Sequence, residues 1–172
     1  MSDHPGPADA DDLFAPPGNA WQRVSPKLAT VRRLMLAAGV VLVLVAVVVA
    51  GILWDLPGWL APLLVAVLLL AGALAWVGIG RNAARWGYAE RDEDLYITHG
   101  AIFRELVAVP YGRMQYVDVT AGPLDQLFGI AGVHLHTASP GTSARIPGLP
   151  REEASRLRDR LTSLGEAQAA GL

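Results

Sequence analysis

Two histidines one residue apart, His134 and His136, are the strongest pointer to chemistry in this 172-residue chain. On a strand, side chains at i and i+2 share a face about 6–7 Å apart, a spacing that two ligands of one metal can use. Zinc takes three or four protein ligands. No third ligand stands at a completing spacing, and the chain has no cysteine. An exposed polar strand face therefore explains the pair better than a metal site. Asp118 and Asp125 invite a paired-carboxylate reading, but each has a simpler role. Asp118 is placed to bond backbone or an arginine, and Asp125 to cap a short helix. His99 falls in a turn cluster and His4 in the N-terminal tail. Ser139, Ser143 and Ser155 lie in no nucleophile motif, and no phosphate-cradling loop is present. No catalytic set, metal or cofactor is expected.

The elements that position these residues are of two kinds. Between Arg33 and Arg81 the single charged residue is Asp55, in the turn-forming cluster Asp55-Leu56-Pro57-Gly58. Two apolar runs result, Leu34 to Trp54 and Trp59 to Gly80, with residues 55–58 as the turn. Each run is about 20 residues, enough as a helix to cover the roughly 30 Å hydrocarbon core of a bilayer. The overall apolar content of 52% does not distinguish this from a soluble protein. The segregation of charge does. A cleaved signal sequence fits poorly, because the first run starts far in and is too long. The reading is a two-span membrane hairpin.

Orientation follows from the flanks. Arg32 and Arg33 precede the first run, with Arg23 and Lys27 further out, and Arg81 and Arg85 follow the second. The connecting turn has no positive charge. Basic flanks are retained on the cytoplasmic side, so both termini are expected in the cytoplasm, with the hairpin in the plasma membrane. Trp54 and Trp59 beside the turn, and Trp21 and Trp86 at the other end, suit the two interfaces. No ionisable group lies inside either run, which argues for an anchor over a transporter. Small residues such as Gly72, Ala75 and Gly78 would let helices pack closely.

Outside the hairpin, residues 1–20 are acidic, rich in Pro, Gly and Ala, and expected to be disordered. Residues 21–33 form a basic juxtamembrane segment, which sets topology and is also suited to anionic lipid at about 1 kcal/mol per residue. From Trp86 the pattern becomes short alternating runs broken by turns. Strands are expected over Leu95–Thr98, Ala101–Val109, Met114–Thr120, Val133–Leu135 and Ala144–Ile146, with a helical piece from Leu124 to Phe128 closed by Gly129. Ala154, Leu157, Leu161 and Leu164 then repeat at helical spacing after Pro150, with Gly165 as the stop. The fold class is thus a two-span α-helical hairpin followed by a small α+β, mainly β, domain over 86–165 with a C-terminal helix, and a tail over 166–172.

The stretch Val109-Pro110-Tyr111-Gly112-Arg113-Met114-Gln115-Tyr116-Val117-Asp118-Val119, continuing through Gly122-Pro123-Leu124-Asp125-Gln126-Leu127-Phe128-Gly129-Ile130, resembles the central signature of the bacterial pleckstrin-homology-like (PH-like) domain family, in its membrane-anchored YdbS-like type. Gly87-Tyr88-Ala89-Glu90-Arg91 is similar to the start of that domain. The resemblance covers roughly Trp21 to Leu164. It implies two near-orthogonal antiparallel sheets closed by a C-terminal helix, and it brings no known reaction. In eukaryotic relatives basic residues around the first hairpin hold inositol phosphates. Here Leu95 to Phe103 contains no Lys or Arg.

These features lead to a membrane-anchored, non-catalytic interaction module that binds a protein partner or joins a membrane complex. The alternative is an anionic-lipid-binding envelope sensor, and a metal-dependent enzyme ranks last. Arg32, Arg33, Arg104, Tyr111 and Arg113 are the candidate lipid or partner contacts. The bilayer is the first expected partner, a homo-oligomer is compatible, and nucleic acid is not expected, since no basic stripe stands out after Arg81.

Overall fold

The computed structural model describes residues 21–54, 57–101, 104–137 and 143–169. The acidic tail, Asp55 and Leu56 of the turn, Ser139-Pro140-Gly141 and the last three residues lie outside them.

The chain enters as a two-residue strand, β1 (Gln22–Arg23), and passes into helix α1 (Lys27–Leu53) and then α2 (Leu60–Ala83). Both helices are long and apolar enough to cross a membrane, and the most apolar window of each is wholly unburied by protein. Helix α1 begins seven residues before the expected span, so the basic segment 21–33 is not a separate juxtamembrane linker. It is a strand, a turn and the first helical turns.

The domain follows as β2 (Gly87–Glu90), β3 (Asp94–His99), β4 (Glu105–Pro110), a 3₁₀ turn (Tyr111–Arg113), β5 (Met114–Thr120), α3 (Pro123–Phe128), β6 (Ile130–Thr137), β7 (Ala144–Pro150) and α4 (Arg151–Ala169). The strands form two antiparallel sheets, β1-β2-β3-β4 and β5-β6-β7. Alternation places Leu95, Ile97 and Val109 from the first sheet, and Val133, Leu135 and Ile146 from the second, in one buried core. Helix α4 adds Ala154, Leu157 and Leu161 to it.

Three boundaries depart from expectation. The domain does not start at Trp86, because β1 pairs antiparallel with β2 across the whole hairpin, Gln22 opposite Tyr88 and Arg23 opposite Gly87. Strand β7 runs on to Pro150 despite Pro147 and Pro150. It is an edge strand, where a missing N–H costs no ladder bond. Helix α4 continues past Gly165 to Ala169, since its packing against the 3₁₀ turn and β5 outweighs the propensity cost of one glycine.

The hairpin is therefore inserted between the first two strands of the domain, and its root shares the domain's core. Leu28 and Val31 of α1 are buried, as is Ala83 of α2. Ser25 N–H donates to the Gly148 carbonyl at 2.9 Å. Gly148 has φ +69°, and a Cβ there would sit 2.7 Å from Leu28 Cβ. Only glycine both adopts that conformation cheaply and admits the helix so closely.

Candidate functional site

Strand β1 brings Trp21 and Arg23 beside the chain that leaves α2, Ala84-Arg85-Trp86, and the β3–β4 turn brings His99 and Arg104 to the same place. Together they line a cavity of about 340 Å³ at the root of the hairpin. Arg23 donates to the Ala84 carbonyl at 3.4 Å and Arg85 to the Ala101 carbonyl at 2.8 Å. A guanidinium carries five N–H donors, so these single bonds orient each group and leave donors for a ligand. Trp86 stacks on His99, with ring centroids 4.7 Å apart, and His99 Nε2 lies 3.7 Å from Glu105. Among the described residues no acidic side chain lines the cavity. Guanidinium groups converging beside indoles make a site for a phosphate-like anion at an interface.

The candidate contacts divide. Arg104 lines this cavity. Arg32 instead ties the hairpin's root together: it donates to Asn82 Oδ1 at 3.0 Å, and the same oxygen accepts from Trp86 Nε1 at 3.2 Å. Arg33 lies over the Trp76 ring, 5.1 Å from its centroid, in the space a side chain at Gly80 would need. Arg113 is exposed at the far end of β4, about 20 Å of strand away from Arg104. The two cannot hold one headgroup. Tyr111 is not a surface contact at all, because it is completely buried. Its hydroxyl donates to the Arg91 carbonyl at 2.9 Å. Burial first, and the nearby charge of Glu90 second, push its pKa up to about 12.

His134 and His136 do share the outer face of β6, as the spacing predicts. His136 stacks on Tyr116 at 4.2 Å and lies 3.5 Å from Asp118, so Asp118 faces a histidine and not an arginine. His134 is held below the ordinary imidazole range by burial and then by the adjacent Arg145 and His136. Among the described residues no three His, Asp or Glu converge on a metal-sized site. Asp125 caps α3 as expected, accepting from Gly122 N–H at 3.0 Å.

Arg23, Arg85, Trp21, Trp86 and His99 are the lining residues that the sequence did not bring together. In the sequence each stands singly, as a flanking charge, an interfacial ring or a turn histidine. The pairing of β1 with β2, which unites them, spans more than sixty residues and leaves no local signal.

The family described as bacterial PH domain matches residues 28–164. The UPF-class transmembrane protein YdbS of Bacillus subtilis (strain 168) is 32% identical over 146 residues, covering 83% of this chain and 91% of the relative. No solved structure matches the chain. Neither the family description nor the relative's name carries a catalytic activity. With two unburied apolar helices and a transmembrane relative that the match covers over nearly its whole length, this is a membrane protein, and it belongs to the bacterial PH domain family in its YdbS-like form.

Proposed function

We propose that the protein is a membrane-anchored, non-catalytic interaction module whose root cavity takes the anionic headgroup of a lipid on the domain's side of the bilayer. The observation that carries this reading is the convergence of Arg23, Arg85 and Arg104 directly after the last turn of α2. A headgroup there needs no diffusion to the domain, since α2 ends at Ala83, one residue before the cavity's lining begins. The basic flanks Arg32, Arg33, Arg81 and Arg85 support a cytoplasmic location for both termini.

The test uses the whole chain, because a fragment starting at Trp86 would lack β1. Native mass spectrometry of the protein released from bilayers of equal phosphatidylglycerol and phosphatidylcholine reads which lipid stays bound. The expected result is retention of the anionic lipid, reduced severalfold in Arg23→Gln/Arg85→Gln. Equal retention of both lipids rules the headgroup reading out.

A second reading, assembly with another membrane protein, is favoured by a groove of about 250 Å³ between the two spans, lined by Leu36, Val40, Leu69, Gly72 and Trp76. Crosslinking in intact membranes followed by purification in mild detergent decides it. A protein recovered alone and monomeric leaves this reading without support.

A further inference from the structure

Among the described residues outside the two spans, only Tyr116 and Leu127 are large, apolar and exposed, and Leu127 is 77% exposed against 53% for Tyr116. Tyr116 is stacked on His136. Leu127 sits on α3, and α3 is held with unusual firmness for six residues. Asp125 caps its start at Gly122, and Gly129 closes it in the left-handed region at φ +69°. Arg151 donates from its guanidinium to the Gln126 carbonyl at 2.6 Å and from its backbone N–H to the Gly129 carbonyl at 3.3 Å. Polar bonds on several sides therefore fix a short helix that displays a leucine. Leu124, three residues earlier on the same face, and Phe128 are half-buried and extend the apolar edge.

The position of α3 says what this edge meets. It packs against α1, and Asp125 lies within electrostatic reach of Arg32. Arg32 and Arg33 are the last charges before Leu34 and Met35, which are 45% and 54% exposed to the surroundings of the span. At 1.5 Å per residue, those first lipid-facing side chains lie within about 5 Å of Arg32 along the axis. Helix α3, packed against α1 with Asp125 near Arg32, is thus placed close to the level where the span's lipid-facing side chains begin.

We propose that α3 is a third membrane contact, with Leu127 inserted into the leaflet on the domain's side beside α1. With the two spans it makes three points of attachment, which prevents the domain from rocking about the hairpin and keeps the root cavity turned toward the headgroups. Short apolar edges flanked by cations settle at this depth of a bilayer. The contact is independent of what the cavity binds.

The chain has no cysteine, so Leu127→Cys accepts a single nitroxide label. The labelled full-length protein is placed in nanodiscs of phosphatidylcholine and phosphatidylglycerol. Collision rates are read with oxygen, which concentrates in hydrocarbon, and with a water-soluble nickel chelate. The expected result at 127 is oxygen collisions exceeding nickel collisions. Asp159→Cys on α4, carrying the same label, should show the reverse. A water-like profile at 127 matching that at 159 overturns the proposal. So does a label at 127 shielded from both reagents, which would mean that protein covers the leucine.

Discussion

The two ends of the membrane hairpin are built from similar residues and behave differently. At the end away from the domain Leu53, Trp54 and Trp59 are each about two-thirds exposed or more, with none of the described residues covering them. At the root, Leu28, Val31 and Ala83 are buried in the core of the domain, and Asn82 holds Arg32 and Trp86 together. The tip is specified by hydropathy alone, so any apolar side chain of suitable length serves. The root is specified by packing, so its side chains are constrained in shape. An anchor that shares its host's core transmits force and position, whereas one joined by a linker would not.

This contrast is open to attack in order of expected effect. Gly148→Val forces a branched side chain into a left-handed conformation and against Leu28. Conformational strain and overpacking together are expected to cost about 4 kcal/mol. Denaturant unfolding of the purified protein, followed by the near-ultraviolet signal of the domain, measures it, and a loss below about 1 kcal/mol would mean that root and domain are not packed as described. Leu28→Ala should cost about 3 kcal/mol by the same measurement, while Leu53→Ala stays within about 0.5 kcal/mol. Equal effects at the two positions would erase the distinction between root and tip. Asn82→Ala removes the acceptor shared by Arg32 and Trp86, at about 2 kcal/mol. Asn82→Asp keeps the oxygen and should recover most of that loss.

The smallest effect is on pH dependence. His134 is opposite Arg145 in the second sheet, and Arg145 is within electrostatic reach of Arg32 at the root. The fold disfavours the protonated imidazole, so the unfolded chain binds more protons as pH falls through the ordinary value of about 6.5. Stability contributed by neutral His134 is therefore complete above that pH and declines below it. The melting temperature should drop between pH 7.5 and 5.5, and His134→Gln should flatten the drop. An unchanged slope would remove His134 from the account.

Residues whose role depends on neighbours along the chain were legible in advance. The charge-free runs, the Asp125 cap, the Gly129 stop and the Ala154-Leu157-Leu161 stripe are all local patterns. Tyr111 was not legible, since a tyrosine between proline and glycine looks like an exposed turn residue until the sheets close over it. Gly165 misled for the opposite reason, because a local stop signal was overridden by tertiary packing. Of the cavity, Arg104 is the one contact that the sequence suggests, whereas Arg113 lies beyond the far end of β4.

The amino-acid order by itself determined that there are two spans, that a mainly β domain follows and that a helix ends it. Hydropathy and periodicity act over one or two turns or a few strand residues, and the sequence displays them directly. Only the tertiary structure decided that the domain begins before the hairpin, that the root lies in its core and that Arg23, Arg85 and Arg104 meet. Those outcomes depend on a two-residue strand whose pairing energy comes from the sheet it joins and not from its own residues.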